Sequence, residues 1–401
     1  MIIAGLMTGT SADALDVALV EFGLVVDDTN SVTATEGGEL TMRLLAFRAV
    51  PFDQELQHDI LRLLNPEPIE LQLVSSVDAR LGQACADAVS HLNSETGVAC
   101  DLVVSHGQTV RHDIADGKVT STLQLGQPAW IAETTGSPVL SDIRARDVAS
   151  GGQGAPLVGI LDHLLMSGND TPTAMLNLGG IANITVVAPG EEPVAFDTGP
   201  ANALIDVMAR HINGDSHSID RDGALAARGT VDHDLLTQLL ADPYYTLPAP
   251  KSTGKEHFHQ EYLREQLQGY PDVDDLDVIA TVTALTANTV ADACHAHGVK
   301  EVVASGGGTR NPTLMAQLQE YLGPEVTLKT TDQVLGLHEG AKEACLMALL
   351  GWLSWHGLDA TLPSLTGADH GTIAGRFSPG GGPLRLPTPL DQMPSHLRVL
   401  Q

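Results

Sequence analysis

Apolar segments that end in small polar turns recur along the chain. The first runs from Ile2 to Met7 into the turn Thr8–Asp13, and Leu15–Phe22 then resumes as a strand with alternating faces. Apolar β-formers predict a buried strand, and a Gly-Thr-Ser turn at its carboxyl end offers backbone N–H groups and hydroxyls. The pattern predicts a strand–turn–strand unit that is suited to holding phosphate groups.

The same pattern returns in the second half of the chain. The segment 174–186 repeats the apolar strand, the small turn Gly179-Gly180 and the second strand, and Glu301–Ser305 leads into glycines 306–308. One such glycine turn is common in any α/β protein and says little about phosphate. Two similar hairpins, one in each half, and a third glycine turn predict a weak internal duplication with ligand-binding turns at strand ends.

Helical periodicity separates these strands. Helices are predicted at 54–64, 68–96, 128–135, 201–212, 277–297, 311–322 and 339–356, and further strands at 101–105, 122–126 and 138–142. Residues 27–39 are polar and predict a loop or short meander. The segment from Phe377 onward is rich in Pro and Gly and predicts a loosely held extension.

The composition is that of a globular protein with two domains. The chain has 401 residues, 43% hydrophobic and 18% charged, which is too long for one compact core. Its formal net charge of −29 argues against nucleic acid or an anionic membrane surface as a partner, because both attract basic patches. The four cysteines form no C-x-x-C pair and no apolar run could span a bilayer, so we expect buried thiols and a cytoplasmic location.

Two common nucleotide-binding motifs do not occur in the sequence. The segment 252–256, Ser-Thr-Gly-Lys-Glu, lacks the upstream glycine and the Ser or Thr after lysine of a Walker A loop. No G-x-G-x-x-G stands at a strand-to-helix turn, so both the P-loop and the Rossmann interpretation are excluded. The histidines at 257, 259, 295 and 297 lack a metal-ligand pattern and are interpreted as surface or packing residues.

Asp197 is the carboxylate with the most informative surroundings. It follows Ala195-Phe196 at the end of a predicted strand and precedes a proline-fixed turn into a helix. This position fits a general base held at a strand end, and it fits an N-cap aspartate equally well. The residues alone leave the two interpretations about even.

Two of the few arginines stand beside a Gly-Gly-Gln-Gly sequence. Asp142, Arg144, Arg146 and Asp147 lie within six residues, just before Gly151–Gly154. An exposed, salt-bridged strand end would explain the cluster, and so would recognition of a polar substrate.

Ser105 and His106 follow a predicted buried strand. Adjacent side chains rarely face each other, so a Ser–His nucleophile pair is disfavoured. Contact of Ser105–Thr109 with a sugar or a phosphate fits the segment better.

Together these segments resemble the anhydro-N-acetylmuramic acid kinase family, within the actin-like, sugar-kinase and heat-shock ATPase group. The resemblance covers residues 3 to about 376, and its most specific tract runs from Asp142 through Gly151–Leu157. The segments that carry it, in family order, are Gly5–Asp16, Ser105–Arg111, Val139–Leu157, Leu176–Ile184, Phe196–Asp206, Asp220–Gly223, Pro250–Gly254, Gly306–Asn311 and Thr366–Ala368. The resemblance implies an α/β, two-domain actin-like ATPase (ribonuclease H-like) fold, with mixed sheets flanked by helices and an interdomain cleft.

The family phosphorylates O6 of 1,6-anhydro-N-acetylmuramic acid from ATP while water opens the anhydro bridge at C1, a step of peptidoglycan recycling. Asp197 matches the family's catalytic aspartate, the general base for water, and ATP with Mg²⁺ is implied. The implied ATP-binding positions are Gly9, Thr10, Ser11, Ala12, Asp13, Ala14, Leu15, Asp16, Gly179, Gly180, Asn183, Gly306, Gly307, Gly308 and Asn311. The implied substrate-binding positions are His106, Gln108, Thr109, Asp142, Arg146 and Glu343.

The chain departs from the family pattern at a few positions. Thr8 stands where Ser is usual, Ala12 where a larger apolar residue is common, and Ala14 and Ala201 where glycine is usual. Because alanine resists positive φ, Ala14 and Ala201 raise the question of how the backbone is shaped there.

The resemblance also implies a domain plan and a homodimer. The expected domains are 1–142, with residues of about 366–385 packing on it, then 143–365, and a tail at 386–401. Two alternatives remain at this point: a kinase for another amino sugar, and a non-catalytic nucleotide-binding regulator. Dependence of ATP turnover on the anhydro sugar separates the first from the leading interpretation, and loss of the base would favour the second.

Overall fold

The computed structural model describes residues 1–9, 12, 14–25, 37–65, 68–115, 118–215, 218–249, 251–254, 257–336 and 340–400. It divides into two compact units. Unit 1 comprises Met1–Gly168 and Gly336–Gln401, and unit 2 comprises Asn169–Leu335. No helix among the described residues is long and apolar enough to cross a membrane.

Strands and helices alternate over most of the described chain. The strands are β1 (Ile2–Thr8), β2 (Ala14–Val25), β3 (Gly37–Pro51), β4 (Leu102–Ser105), β5 (Gln108–Ala115), β6 (Lys118–Leu125), β7 (Val139–Ser141), β8 (Thr173–Leu178), β9 (Ile181–Val187), β10 (Val194–Pro200), β11 (Glu301–Ser305), β12 (Thr327–Thr330), β13 (Arg376–Ser378) and β14 (Pro394–Leu400). The helices are α1 (Gln54–Leu64), α2 (Leu71–Thr96), α3 (Pro128–Thr135), α4 (Ala145–Ala149), α5 (Val158–Met166), α6 (Asn202–Asn213), α7 (His233–Leu240), α8 (Gln260–Gln266), α9 (Asp275–Ala296), α10 (Pro312–Leu322), α11 (Thr331–Leu335), α12 (Ala341–Trp355) and α13 (Pro363–Thr366).

The main sheet of unit 1 has the strand order β13-β7-β4-β1-β2-β3-β14 within the described residues. Strands β1, β2 and β3 form an antiparallel meander, and β4 and β7 then add in parallel on the β1 side. Helices α1 and α2 bury an apolar cluster with β1 and β2, and α12 also contacts these strands. Gly5 allows this approach of α12, because a Cβ at that position would collide with the carbonyl oxygen of Ala344.

The sheet of unit 2 repeats the same plan. Its order is β10-β9-β8-β11-β12, again an antiparallel meander of three strands followed by two parallel strands. The core order 3-2-1-4-5 therefore occurs in both units. This repetition confirms the predicted α/β class with mixed sheets and the internal duplication, in the strand order of ribonuclease H-like and actin-like units.

The compact units differ in their bounds from the domains expected at 142 and 365. Helix α5 packs on β14, and the buried ion pair between Asp162 and Lys342, 2.8 Å long, joins α5 to α12. Residues 143–168 and 340–365 therefore pack with the first unit. The Arg-containing tract that follows the expected boundary at residue 142 lies within unit 1.

The carboxyl-terminal segment is more ordered than its composition indicates. Strand β13 pairs antiparallel with β7, and β14 pairs in parallel with β3 over residues 394–400. Leu397 of β14 is only 3% exposed, and Arg398 and His396 both contact Glu39. The prediction of a loosely held extension was wrong for this strand.

Candidate active site

Asp197 lies within β10, in a row of polar residues that crosses three strands of unit 2. It pairs with Asn183 on β9, which in turn pairs with Asn177 on β8. The neighbouring residues Phe196 and Leu176 belong to the buried core. Because paired residues point to one face of a sheet, the three polar side chains share the face opposite that core. The register of β10 shifts directly after Asp197.

Three hydrogen bonds attach Asp197 to the segment 244–253. Its Oδ2 accepts from the backbone N–H of Thr253 at 2.9 Å, and its own N–H donates to the carbonyl of Lys251 at 2.9 Å. The hydroxyl of Tyr244 donates to the carbonyl of Asp197 at 2.7 Å. Burial and the charge of Asp197 raise the pKa of Tyr244, so this hydroxyl keeps its proton. Asp197 is not the N-cap of α6, a position held by Ala201.

Lys251 supports the same segment and was not identified from the sequence. Its ammonium donates to the carbonyls of Tyr244 and Tyr245 at 3.1 and 3.2 Å and lies 4.6 Å from the centre of the Tyr244 ring. Burial lowers the pKa of Lys251.

A cavity of about 420 Å³ lies next to β10 and is lined by, among others, Phe196, Thr198, Tyr245, Lys251, Asp292 and His297.

The hairpin turn between β8 and β9 is tied to the start of α6. The carbonyls of Gly179 and Gly180 accept from the backbone N–H groups of residues 201–203 at 2.9–3.0 Å. The side chain of Asn202 donates to the carbonyls of Leu178 and Gly179 at 3.0 and 2.7 Å. Because these carbonyls are engaged with α6, they are not turned toward an anion at the turn.

The glycines after β11 pack directly on this hairpin. Gly306 has φ +90°, and a Cβ there would lie 2.6 Å from Oδ1 of Asn177 and 2.8 Å from the backbone of Leu178. A Cβ on Gly308 would lie 2.7 Å from the Leu178 side chain. The two glycine turns predicted in the second half of the chain are therefore brought together within unit 2.

A second cavity of unit 2, about 320 Å³, contains part of the predicted nucleotide site. Gly307 and Asn311 line it, as do residues that were not assigned to the nucleotide from the sequence: Asn202, Ile205, Asp206, Ile219, Asp220, Arg221, Asp222 and Arg310. Asn311 also caps α10, with its side-chain oxygen accepting from Leu314 N–H at 3.0 Å. The cavity combines carboxylates with guanidinium groups, which suits a polar ring and its hydroxyls.

In unit 1 the opening turn is described only in part. Thr10, Ser11 and Asp13 lie outside the described residues, whereas Gly9, Ala12 and Ala14–Asp16 lie within them. The positive φ falls on Ala12, at 50°, and not on Ala14, which belongs to β2, or Ala201, whose φ is −110°.

The carboxyl end of β1 is connected to the segment after β4. Thr8 donates from its hydroxyl to Oε1 of Gln108 at 2.8 Å, and Gln108 is buried. Thr109 accepts from the amide of Gln124 at 3.1 Å. Two predicted sugar-contacting residues are thus connected to the neighbouring strands of their own unit.

His106 forms an unusual pair with Arg144. Nε of Arg144 donates to Nε2 of His106 at 2.9 Å, and Nδ1 of His106 lies 2.6 Å from the carbonyl of Gly107. Burial, reinforced by the charge of Arg144, lowers the pKa of His106 to about 3, so the imidazole is neutral with its proton on Nδ1.

Asp147 organises the Gly-Gly-Gln-Gly loop. It is fully buried, and its carboxylate accepts from Gly154 N–H and from the hydroxyl of Thr366, both at 2.7 Å. Gly152 lies so close to this carboxylate that a Cβ would collide with it. The loop in turn presents the carbonyl of Gly154 to Nη1 of Arg144 at 2.5 Å.

The remaining predicted sugar-binding residues also belong to unit 1. Asp142 has φ 62° and lies 3.4 Å from Arg376, and with His106 it lines a cavity of about 160 Å³. Arg146 on α4 and Glu343 on α12 are exposed. Glu343 also interacts electrostatically with Arg144.

Oxygen donors fit a magnesium ion better than nitrogen or sulfur donors do. Among the described residues, no group of three His, Cys, Asp or Glu side chains could hold a metal on its own. In unit 2 the polar row offers amide and carboxylate oxygens. Unit 1 separately offers Asp16, a partly buried carboxylate near the start of β2. One or two carboxylates with phosphate and water oxygens form a usual Mg²⁺ environment, so these donors fit the ion.

Comparisons with known proteins agree over the whole chain. A family model described as anhydro-N-acetylmuramic acid kinase matches residues 1–380. The curated anhydro-N-acetylmuramic acid kinase of Streptomyces coelicolor is 51% identical over 401 residues, 100% of this chain and 99% of that protein. The one of Rhodococcus erythropolis is 44% identical over 407 residues, again 100% and 99%. The one of Caldanaerobacter subterraneus is 37% identical over 395 residues, 94% of this chain and 96% of that protein.

Proposed function

Because the chain belongs to the anhydro-N-acetylmuramic acid kinase family, we propose that it is an ATP-dependent kinase acting on 1,6-anhydro-N-acetylmuramic acid. The products are N-acetylmuramic acid 6-phosphate and ADP. The observation that carries the proposal beyond the family is the setting of Asp197, a carboxylate fixed by main-chain bonds beside two amides and a pair of glycine turns.

Asp197 acts as the general base. It takes a proton from a water molecule whose oxygen attacks C1, and the C1–O6 bond breaks with its electron pair moving to O6. O6 accepts the γ-phosphoryl group and ADP departs. The hydrogen bond from Thr253 N–H to Oδ2 fixes the carboxylate, so the reacting water meets a base already in position.

The glycine turns hold the nucleotide. The hairpin at Gly179-Gly180 and the Gly306–Gly308 turn support the phosphates in unit 2, and the cavity lined by Gly307 and Asn311 takes the nucleoside. The opening turn, Gly9–Asp16, supplies phosphate contacts from unit 1. Magnesium, held by phosphates, water and oxygens of the polar row such as that of Asn183, would neutralise the phosphate charge.

Unit 1 supplies the contacts to the sugar. We assign these to Gln108, Thr109, Asp142, Arg146 and Glu343, and we place His106 beside them, with both of its ring nitrogens engaged by Arg144 and Gly107. The reaction belongs to recycling of cell-wall peptidoglycan, and the use of ATP places it in the cytoplasm. A homodimer is the assembly we propose from the family resemblance.

Isotopically labelled water tests the coupled reaction. With ATP, Mg²⁺ and the anhydro sugar, the label should appear on C1 of the phosphorylated product, because water attacks carbon and phosphate goes to O6. Label on phosphate, or ATP turnover that is independent of the sugar, would show a simple ATPase. Turnover of a different amino sugar in preference to this one would show a related kinase.

A further inference from the structure

The guanidinium of Arg144 is a partly enclosed cation whose hydrogen-bond partners are all neutral. They are Nε2 of His106 and the carbonyl of Gly154. Among the described residues, no carboxylate forms an ion pair with it within 4.0 Å. Glu343 and Asp147 influence it only through space, and Asp147 already accepts from Gly154 N–H and Thr366.

A positive charge removed from water without a counter-ion is costly, and the cost falls when an anion arrives. Burial lowers the pKa of Arg144, which reflects this cost. His106 does not compensate the charge, since its Nε2 accepts as a neutral imidazole nitrogen. The arrangement holds the guanidinium in place and leaves its charge unbalanced.

One edge of the guanidinium is open to a ligand. The known bonds use Nε and one hydrogen of Nη1, and a guanidinium carries five N–H donors. Nη2 has no partner among the described residues and is not among their buried, unpaired atoms, so it reaches solvent. Nη1 keeps one further hydrogen and Nη2 keeps two, and N–H donors on these two neighbouring nitrogens match the two oxygens of a carboxylate.

We propose that Arg144 is the specificity residue that binds the carboxylate of the acidic ether substituent, the 3-O-lactyl group, of the muramic acid substrate. This inference rests on the proposed function. His106 and the Gly154 carbonyl are positioning groups that fix the plane of the guanidinium. The carboxylate supplies the missing counter-ion, so sugars with this substituent are favoured over the same sugars without it.

The conformation of the loop around Gly154 holds the carbonyl that accepts from Arg144. Gly154 has φ +65°, and a Cβ there would lie 2.9 Å from the Val148 side chain and 3.4 Å from Cβ of Arg144. Asp147 fixes Gly154 through its N–H, so the carbonyl of the same residue is held at Nη1. Arg146 lies two residues further on and is exposed, without this loop or the imidazole as partners.

The experiment compares two substrates that differ only in the acidic group. Purified Arg144→Met and parent protein are assayed with 1,6-anhydro-N-acetylmuramic acid and with 1,6-anhydro-N-acetylglucosamine, which has no lactyl group. We expect Arg144→Met to lose roughly 10- to 100-fold in kcat/KM for the acidic sugar, mostly through KM, because a charge-assisted bond is lost. The neutral sugar should be turned over about as well as by the parent. Arg385→Met, an exposed arginine in the carboxyl-terminal segment, is the matched control.

Equal losses for both sugars would overturn the proposal and indicate a merely structural role. A raised KM for ATP with unchanged sugar selectivity would overturn it in favour of a phosphate ligand. If Arg144→Met does not fold, Arg144→Lys and His106→Gln serve instead, and loss of selectivity for the acidic sugar is again the supporting result.

Direct binding separates this inference from the proposed function. Calorimetric titration of the parent with N-acetylmuramic acid and with N-acetylglucosamine needs no turnover. Tighter binding of the acidic sugar that Arg144→Met abolishes would support the carboxylate site even if no phosphorylation occurred. Equal affinity for the two sugars would overturn it even in an active kinase.

Discussion

At the scale of single residues, Asp197 depends on groups far along the sequence. The backbone N–H of Thr253, 56 residues away, holds its carboxylate, and the side-chain hydroxyl of Tyr244, 47 residues away, holds its carbonyl. Backbone donors and acceptors cannot be removed by ordinary side-chain changes, so the carboxylate keeps its place while its chemistry is altered.

We expect Asp197→Asn to lower kcat by about 10²- to 10⁴-fold, the usual contribution of a general base. ATP affinity, measured by calorimetry, should change little because the glycine turns are intact. Thr253→Pro removes the N–H that holds Oδ2, whereas Thr253→Ala keeps it, so the proline variant should lose far more kcat. Parental turnover in Asp197→Asn would remove this residue from the role of base.

His106 makes stability depend on pH. In the folded protein its pKa is lowered to about 3 from the ordinary value of 6.5. Between these two pH values the imidazole is protonated in the unfolded chain and neutral in the folded protein. Stability is therefore full above pH 6.5 and falls, by up to about 1.4 kcal/mol per pH unit, as the pH drops toward 3.

The measurement is the free energy of unfolding in urea between pH 7 and pH 4. His106→Gln, which does not titrate, should show a shallower fall over this window than the parent. His58→Gln, at an exposed position on α1, is the control and should follow the parent. Parallel curves for parent and His106→Gln would rule out a buried neutral imidazole at this position.

At the scale of elements, patterns that are local in sequence were predictable. Helices α1 and α3 match their predicted bounds because each has a continuous periodic pattern between clear stops. Strand β3 was not predicted although it pairs with the adjacent β2, and its first residues fell in the predicted loop at 27–39. Strand β14 was not predicted, since its pairing with β3 joins residues about 357 positions apart. A strand at the edge of a sheet has one polar face, so its own sequence resembles a loop.

The candidate active site shows the same contrast between features that are local in sequence and features that depend on the fold. The glycine turns and Asp197 could be found as motifs, whereas the choice between Arg144 and Arg146 could not. Two residues apart on a helix point to nearly opposite sides, so the start of α4 decides which arginine faces His106. Lys251 and Tyr244 were missed because they act through backbone contacts.

Strand β14 should contribute to stability as a full member of the sheet. Leu397→Ala removes a side chain that is 3% exposed, and we expect a loss of about 2–5 kcal/mol in the free energy of unfolding. Leu386→Ala, at a position 50% exposed in the same terminal segment, should change it by less than about 0.5 kcal/mol. If both variants changed the free energy of unfolding in urea by the same small amount, the segment would be a loosely held extension after all.

At the scale of the whole molecule, the chain has fifty acidic residues and only twenty-one basic ones. Excess charge of one sign destabilises a compact state through self-repulsion, and salt screens it over about 10 Å at 0.1 M. The described ion pairs are mostly exposed, and exposed pairs contribute little individually. Repulsion should therefore dominate the response to salt.

We expect the melting temperature to rise by a few degrees between low and about 0.5 M salt, as repulsion is screened. Scanning calorimetry in NaCl and in KCl distinguishes screening, which is equal for both, from binding of one cation. A fall in both salts would mean that the ion pairs outweigh the repulsion.

Unit 1 is discontinuous, and this has a consequence during synthesis. Its sheet lacks β13 and β14 until residues 376–400 have left the ribosome, whereas unit 2 is complete once residue 335 has done so. Unit 2 can therefore fold first during synthesis. The sheet of unit 1 stays incomplete for longer, with the edge of β3 unpaired. A chain that is still being synthesised, or that is terminated before β14, therefore exposes the unpaired edge of β3 to neighbouring chains. Pairing of the seven-residue strand β14 with β3 removes this exposure.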